Sequence, residues 1–263
     1  MITSLSNARV RSVIALKNKS KERSARDVFL VEGVKMFGEV PLSHLAEVFV
    51  SESFYNTYRD TDLIQRVPFC EIVADRVFAA MCDTRTPQGV ICLVRQYHYK
   101  QMDLMGDGTR PPLVMALENL QDPGNLGTIL RTAEGAGATG VLLSRGCVDI
   151  YNPKVIRSTM GTIYRVPFVY ADNLDAALKE FRQQGIRLYA AYLSGSVEYD
   201  REDYRRGSVF LVGNESRGLT EQTAGLADAR IRIPMCGQLE SLNASVAASL
   251  LLYEAFRQRR GGT

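Results

Sequence analysis

The sequence is short of the residue types that most often build metal sites and catalytic triads. Its 263 residues contain no tryptophan and only two histidines, His44 and His98. This excludes His-rich metal sites and most nucleophilic schemes that use histidine as the base. The five cysteines lie far apart, and none has C-x-x-C spacing. We therefore expect no bound metal, and reduced thiols in a cytosol-like compartment.

Long hydrophobic runs are also missing. No apolar run of the chain reaches the roughly 18–20 residues that a membrane-spanning helix requires. The first residues lack the apolar stretch of a secretory signal, so we expect a cytoplasmic chain that does not bind a membrane. Hydrophobic residues make up 46% and charged residues 23% of the sequence, which is typical of a globular protein. The length predicts one or two domains.

Positive charge is concentrated at the beginning of the chain. The first 26 residues hold seven basic side chains and one acidic side chain, Glu22. Such a segment favours binding to the phosphates of a nucleic acid, and this binding should weaken as salt rises. A solvated helix face is the alternative interpretation, and the neighbouring apolar stripe is too short to favour a membrane surface. The candidate nucleic-acid-binding residues are Arg9, Arg11, Lys17, Lys19, Lys21, Arg23 and Arg26.

Short strands and helices alternate along the chain. Residues 1–100 predict a compact α/β unit with strands at 28–31, 47–51, 70–73 and 89–95. The stretch 101–112 is rich in glycine, proline and aspartate and is the best candidate for a linker. From residue 113 the alternation is regular, which predicts a mostly parallel sheet covered by helices on both faces. The predicted strands there are 113–117, 140–144, 166–169, 186–192, 209–212 and 230–233, and the predicted helices are 124–136, 172–184 and 242–257.

One glycine motif has the spacing of a dinucleotide-binding loop but not its setting. Residues 135–140 match G-x-G-x-x-G, which in a Rossmann fold follows a strand and opens a helix. Here the predicted helix precedes the glycines, and a predicted strand follows them. The motif therefore indicates a helix end and a turn. A nucleotide-binding oxidoreductase is disfavoured for the same reason.

Three predicted strands end in polar or glycine-rich segments, and the carboxyl ends of parallel strands form the ligand site of an open α/β sheet. These segments are 118–127, which is followed by Arg131 on the predicted helix, then 212–218, and then 230–245. Glycine lets a ligand approach the backbone closely, and Glu215 could pair with Arg131. Taken singly, each segment is explained about as well by turns and helix caps.

Together the three segments resemble the motifs of the SpoU (TrmH-type) RNA ribose 2′-O-methyltransferases of the SPOUT superfamily. Residues 1–100 resemble the small L30e-like RNA-binding domain of that family through the stretches 29–33 and 86–89. One departure is Ala244, where the family often has valine. Three motifs in the right order are far more specific than any one of them. They are Asn125 with Arg131, then Gly213-Asn214-Glu215-x-x-Gly218, then Ile233-Pro234-Met235-x(5)-Ser241-Leu242-Asn243-x-Ser245.

The resemblance implies a C-terminal α/β-knot domain with a mostly parallel sheet over residues 113–263, in which the end of the chain is threaded through a loop. It implies a small L30e-like RNA substrate-binding domain over residues 1–100. It also implies a homodimer, S-adenosylmethionine as the cofactor, and 2′-O-methylation of a ribose in structured RNA. The separate N-terminal domain resembles that of ribosomal members and favours 23S ribosomal RNA. Transfer RNA is one alternative, and a catalytically inactive RNA-binding homologue is another.

The resemblance also assigns roles to single residues. The adenosyl contacts fall, largely through backbone groups, at Gly213, Ile233, Met235 and Leu242. Arg131 is expected to hold the ribose hydroxyl and a neighbouring phosphate, which gives it the central catalytic role. The side chains expected to orient the hydroxyl are Asn125, Glu215, Ser241 and Asn243. The presence of this set argues against the inactive homologue.

Overall fold

The computed structural model describes residues 1–194 and 197–260. Its strands are β1 (Val28–Glu32), β2 (Leu45–Ser51), β3 (Glu71–Val73), β4 (Val90–Arg95), β5 (Leu113–Leu117), β6 (Gly140–Ser144), β7 (Phe168–Ala171), β8 (Arg187–Ala191), β9 (Val197–Glu198), β10 (Ser208–Val212) and β11 (Ala229–Arg232). Its α-helices are α1 (Ala8–Asn18), α2 (Ser20–Arg26), α3 (Val34–Glu39), α4 (Glu52–Tyr58), α5 (Asp62–Gln65), α6 (Asp75–Met81), α7 (Pro123–Gly135), α8 (Pro153–Thr159), α9 (Leu174–Gln183), α10 (Glu221–Ala224) and α11 (Ala244–Arg260).

The chain divides into two compact units. The first unit combines Met1–Tyr97 with Asp149–Tyr164. The second unit combines His98–Val148 with the described residues from Arg165 onward. The division differs from the predicted one at two places, 98–112 and 149–164.

The first unit is built on a four-stranded sheet. Its strand order is β1-β4-β2-β3, with β1 and β2 antiparallel to β4 and β3 parallel to β2. Helix α1 buries Val10, Val13 and Leu16 against this sheet, together with residues of α6. The predicted strands of residues 1–100 are all present, with ends that differ by one or two residues.

The segment Asp149–Tyr164 belongs to the first unit, although the sequence prediction assigned it to the C-terminal domain. Helix α8 packs against β1 and buries Val155 and Ile156. The ring of Tyr151 stacks on Phe29 with centroids 4.7 Å apart. These contacts bury apolar surface that the small four-stranded sheet would otherwise expose. No alternation of strands and helices along the chain could have indicated this pairing.

The second unit is a seven-stranded parallel sheet in the order β7-β6-β5-β10-β8-β11-β9. Strands β5, β6 and β10 are buried along their whole length, as in sheets covered on both faces. Helix α9 contributes Leu178 and Phe181 to one core cluster. Helices α7 and α11 pack against each other and against β6 and β10. The predicted α/β class and mostly parallel sheet are confirmed.

Part of the predicted linker is built into the second unit. Residues Gln101–Met105 form a 3-10 helix, and Leu104 is fully buried in the core of the parallel sheet. The Thr139 hydroxyl donates a hydrogen bond to the carbonyl of Leu104 at 2.6 Å. The exposed turn that follows this short helix holds Gly106, Asp107, Gly108 and Pro111, which are most of the residues that indicate a linker.

The G-x-G-x-x-G stretch ends a helix, as predicted. Helix α7 ends at Gly135, and β6 begins at Gly140. Between them Gly137 has a φ of +72°, which is a left-handed conformation that glycine adopts without strain. No helix among the described residues combines the length and the apolar character needed to cross a bilayer.

Candidate functional site at the carboxyl edge of the parallel sheet

The two central strands of the parallel sheet end side by side. The last residue of β5, Leu117, is paired with the last residue of β10, Val212. Beyond β5 the chain passes through α7 to β6 on one side, whereas β10 has β8 as its neighbour on the other side. This is a topological switch point, where the loops leave the sheet in opposite directions and open a crevice. The predicted segments 118–127 and 212–218 therefore meet here.

Glu215 joins these two loops. Its carboxylate accepts hydrogen bonds from the backbone N–H groups of Gln121 at 3.2 Å and Asp122 at 2.9 Å. The side-chain amide of Asn125 donates to the same carboxylate at 3.1 Å. Burial acts to raise the pKa of Glu215, but these hydrogen bonds favour the ionised form and hold the pKa below its ordinary value. Glu215 is therefore an ionised carboxylate that joins the two loops through hydrogen bonds.

The third segment is attached through a pair of asparagines. Asn243 lies just before α11 and accepts hydrogen bonds from the backbone N–H of Ser245 at 2.9 Å and from its hydroxyl at 2.7 Å. This is an N-cap, which fixes the carbonyl end of the amide. The other end of the Asn243 amide donates to Oδ1 of Asn125 at 3.0 Å. Glu215, Asn125 and Asn243 thus form one hydrogen-bonded chain across the three predicted segments.

The loop after β10 approaches itself so closely that only glycine fits at its first position. A Cβ atom on Gly213 would lie 2.1 Å from both the carbonyl carbon of Gly218 and the nitrogen of Leu219. The loop is closed by two backbone hydrogen bonds between Asn214 and Gly218, of 3.1 and 2.8 Å. The Asn214 side chain accepts hydrogen bonds from the backbone N–H groups of Ser216 and Arg217, and it donates to the carbonyl of Asn119 at 2.8 Å.

A cavity of about 620 Å³ opens beside this loop, at the carboxyl ends of β8, β10 and β11. Its volume is in the range of small-molecule sites, which is roughly 300–1,000 Å³. Apolar side chains and the backbone around Gly213 make up much of its wall. Such a wall suits a flat heterocycle that packs against the apolar side chains and hydrogen-bonds to backbone groups. All four residues predicted to contact the cofactor line this cavity, namely Gly213, Ile233, Met235 and Leu242.

A second, more open cavity of about 600 Å³ adjoins the first. It is lined by Asn125, by Asn243 and by the turn at the start of α7. Glu215 lines both cavities. Ser241 is exposed and lines the first cavity. Four of the five predicted catalytic residues therefore line one cavity or the other, and Glu215 lines both: Asn125, Glu215, Ser241 and Asn243.

Arg131 is the exception. It lies on the exposed side of α7, outside the residues that line either cavity. In the described part of the chain its guanidinium has no hydrogen-bond or ion-pair partner. The pairing of Arg131 with Glu215 that the sequence suggested is wrong, because backbone amides and Asn125 already occupy that carboxylate.

The basic residues of the first 26 positions do not form one free surface. Arg23 is buried and donates to the carbonyl of Leu16 and to Asp149, at 2.7 and 2.6 Å. Arg9 and Arg26 both form ion pairs with Glu47. Lys17 donates to the carbonyls of Ala80 and Cys82. The members of the set that are exposed and have no partner among the described residues are Arg11, Lys19 and Lys21.

Some cavity residues were missed at the sequence level. Tyr192 and Leu193 follow β8, and Arg217 and Glu240 lie in the loops of the second and third segments. The rule that ligands bind at carboxyl strand ends could have indicated the residues after β8. No motif spacing marks Arg217 or Glu240. Within residues 1–194 and 197–260, no group of three His, Cys, Asp or Glu residues is arranged to hold a metal ion.

The arrangement defines a parallel α/β domain with a ligand cavity at its topological switch point. Residues 112–253 match the model of the SpoU rRNA methylase family, and residues 7–92 match that of an MRM3-like substrate-binding domain. The chain belongs to the SpoU rRNA methylase family. This confirms the predicted enzyme class, an S-adenosylmethionine-dependent RNA 2′-O-ribose methyltransferase.

Individual relatives agree with this membership. The 23S rRNA (guanosine(2553)-2′-O)-methyltransferase RlmP of Bacillus subtilis is 31% identical over 96% of this chain and 97% of its own length. The AdoMet-bound rRNA methyltransferase of Sinorhizobium meliloti is 30% identical, covers 97% of both chains and superposes with a TM-score of 0.83. A structure described for 2-OH methylation of C/U34 on tRNA is 30% identical, but it covers 62% of this chain and 100% of its own, with a TM-score of 0.53.

Proposed function

We propose that this chain methylates the 2′-hydroxyl of a ribose in large-subunit ribosomal RNA. The observation that carries the proposal is that hydrogen bonds among Glu215, Asn125 and Asn243 join the three distant segments at two cavities that share Glu215. Ribosomal RNA is favoured over transfer RNA by the extent of the similarity. The relatives described as rRNA enzymes align with nearly the whole chain, whereas the structure described for tRNA aligns with 62% of it.

The two cavities divide the work between cofactor and substrate. S-adenosylmethionine, when bound, would supply a methyl group on a positively charged sulfur. The ribose oxygen would bond to the methyl carbon as the carbon–sulfur bond breaks, and the neutral thioether S-adenosylhomocysteine would leave. Gly213, Ile233, Met235 and Leu242 line the first cavity and would hold the adenosyl group there, largely through their backbone groups. The second cavity would receive the target nucleotide. The side-chain amides of Asn125 and Asn243 are held by hydrogen bonds, so they would align the nucleotide without having to reorient. Alignment of reacting groups can lower an activation barrier by about 7–11 kcal/mol.

Arg131 is proposed to bind the ribose hydroxyl and the adjacent phosphate. A guanidinium keeps its proton at physiological pH and is a fork of donors that matches a phosphate. It therefore stabilises the oxygen as negative charge develops, and it does not remove the proton. The proton would leave to a phosphate oxygen or to water. Asn125, Glu215, Ser241 and Asn243 would orient the nucleotide.

The target is tested by mass spectrometry of RNA from a strain that lacks the protein. We expect one 2′-O-methyl nucleotide to disappear from 23S ribosomal RNA, and to return when the gene is restored. Restoration with an Arg131→Ala variant is the matched control and should not return it. Loss of a methyl group from a transfer RNA, with ribosomal RNA unchanged, would contradict the proposed target.

We propose that the exposed part of the basic segment contacts the RNA. The side chains of Arg11, Lys19 and Lys21 are exposed, and no described residue neutralises them. Deleting the segment would not test this, because α1 contributes Val10 and Leu16 to the core of the first unit. Substitution of the three exposed charges is the sharper experiment.

The triple substitution of Arg11, Lys19 and Lys21 by glutamine is expected to weaken RNA binding and to flatten its dependence on salt. If all three contact phosphates, the slope of log K against log salt should fall by about 2–3. Fluorescence anisotropy with an RNA fragment at several salt concentrations measures it. A variant with Lys179, Arg201 and Arg206 replaced by glutamine loses the same charge and is the control. An unchanged slope in the first variant would reject these contacts.

We also propose a homodimer that uses the exposed face of α11. Val246, Leu250 and Tyr253 are 47%, 36% and 49% exposed and lie on one stripe of this helix. Helix α7 lies beside this stripe, because the hydroxyls of Thr132 and Ser249 share a hydrogen bond of 3.0 Å. Arg131 is next to Thr132, so pairing of this face with a second copy would bring the proposed catalytic arginine to the interface.

The variant Leu250→Glu/Tyr253→Glu is expected to be monomeric. Removing two central apolar anchors costs an interface about 2 kcal/mol or more, which is about a 30-fold loss of dimer affinity. Light scattering coupled to size exclusion over a dilution series measures the mass. The control is Leu42→Glu, an exposed leucine of the first unit. A double variant that stays dimeric would place the interface elsewhere.

The cytoplasm is the proposed location of the protein. Its substrate would be ribosomal RNA, and the five cysteines are free thiols in the structure. Free thiols of this kind persist in reducing compartments.

A further inference from the structure

The first cavity contains charged side chains that its apolar walls do not explain. Two of these side chains form an ion pair with each other, since Nη2 of Arg232 lies 3.7 Å from Oε1 of Glu198. The Glu215 carboxylate is occupied by backbone amides and Asn125. Two charges remain, one of each sign, on Arg217 and Glu240. Neither has a hydrogen-bond or ion-pair partner for its side chain among residues 1–194 and 197–260.

Arg217 is held in place by its loop. Its backbone N–H donates to Oδ1 of Asn214 at 3.1 Å, and the loop is closed by the paired backbone hydrogen bonds between Asn214 and Gly218. The base of the side chain is therefore fixed, while the guanidinium is exposed at the cavity. A fixed arginine with a free guanidinium, facing a ligand site, is suited to an anionic group of the ligand.

The cofactor carries a matching pair of charges. Its amino-acid end has a carboxylate and an ammonium group on the same carbon atom, and its adenosyl end has no anion. The adenosyl end fits the apolar residues of the cavity, so the amino-acid end needs polar partners elsewhere in it. We propose that Arg217 binds the carboxylate and Glu240 the ammonium group of the cofactor. This inference rests on the cofactor of the family and not on which RNA is methylated.

The consequence is that these two residues distinguish the complete cofactor from its nucleoside part. A hydrogen-bonded charge pair at an exposed cavity contributes modestly, so loss of either partner should weaken binding about 10-fold. Each residue should act through one group only. Arg217 should matter for ligands that have the carboxylate, and Glu240 for ligands that have the ammonium group.

The experiment is calorimetric titration of the full chain with three ligands. S-adenosylhomocysteine has both charged groups, and S-(5′-adenosyl)-3-thiopropylamine lacks only the carboxylate. 5′-Methylthioadenosine lacks the whole amino-acid end. The variants are Arg217→Gln and Glu240→Gln, and Arg206→Gln is the control because Arg206 is exposed on the same unit outside the cavity.

We expect Arg217→Gln to weaken S-adenosylhomocysteine about 10-fold and to leave the other two ligands within twofold of wild type. Glu240→Gln should weaken both ligands that carry the ammonium group and should leave 5′-methylthioadenosine unchanged. Unchanged binding of that nucleoside also shows that the variants are folded.

Three results would overturn the inference. Equal losses for all three ligands would indicate a general disturbance of the cavity. Unchanged affinity for S-adenosylhomocysteine would show that the charges do not touch the ligand. Weaker RNA binding by Arg217→Gln, with ligand affinities unchanged, would make Arg217 a phosphate contact. Failure of the wild-type chain to bind S-adenosylhomocysteine is a different outcome, because it would refute the cofactor itself.

Discussion

Replacement of Arg131 by alanine is expected to lower the single-turnover rate of methyl transfer about 10²–10³-fold, the usual cost of removing one donor to a developing oxyanion. The fold should be unaffected, because the side chain is exposed and has no partner in the described part of the chain. Cofactor affinity should also be unchanged, since Arg131 does not line the first cavity. The effect should therefore fall on the chemical step and on RNA positioning.

Lysine at this position is the informative second variant. It keeps the charge but lacks the planar fork of donors, so Arg131→Lys should recover only a small part of the rate. Rates are measured with enzyme in excess over labelled RNA, and cofactor affinity is measured by calorimetry on the same samples. Arg206→Ala, an exposed arginine of the same unit, controls for loss of charge. Rates near wild type for both substitutions would remove Arg131 from the catalytic machinery.

The elements that could be predicted from the sequence are those that form unbroken runs of apolar residues. Strands β5, β6 and β10 are apolar runs buried along their whole length, so their positions follow from the sequence. The same holds for the reversed glycine motif, whose role depends only on the order of its neighbours. Strand order is different, because the pairing of β5 with β10 joins segments that lie far apart in the chain.

The sequence motifs indicate which residues lie at the cavities, but they do not indicate which groups hydrogen-bond to one another there. The motifs indicate Asn125, Glu215 and Asn243, and all three line the second cavity. Their spacing carries no information on which group neutralises the carboxylate. Arginine is the obvious partner on charge alone, yet the register of β5 against β10 brings two backbone N–H groups to Glu215 first. Backbone donors have no sequence signature, which is why the predicted ion pair failed.

The number of basic side chains in the first 26 residues did not show how many of them are exposed in the first unit. Arg23 counts toward a basic segment in the same way as Lys21 does. The structure shows that Arg23 is 4% exposed and bonded to Asp149, whereas Lys21 is exposed. The partner lies in the segment Asp149–Tyr164, whose place in the first unit depends on tertiary packing. A linear charge pattern therefore overstated the surface available to RNA.

Gly213→Ala is expected to have the largest effect on cofactor binding, although it adds a single methyl group. The new Cβ would lie 2.1 Å from the carbonyl carbon of Gly218 and the nitrogen of Leu219. Both are backbone atoms, so no side-chain rotation relieves the overlap and the loop itself must move. Overpacking of this kind costs about 1–3 kcal/mol of stability. Because the same loop carries Glu215 and walls the first cavity, affinity for S-adenosylhomocysteine should fall about 10- to 100-fold.

Another glycine of the site provides the matched control. Gly237 lies in the segment between Met235 and Leu239, both of which line the cavity, and a Cβ there would have no atom within 4 Å. Its φ is not in the left-handed region, so Gly237→Ala should leave both the melting temperature and the ligand affinity near wild type. Calorimetric titration and thermal unfolding of the two variants, measured side by side, check the difference. Equal behaviour of the two variants would mean that the close approach at Gly213 does not shape the cavity, and that the loop after β10 is not what holds the cofactor.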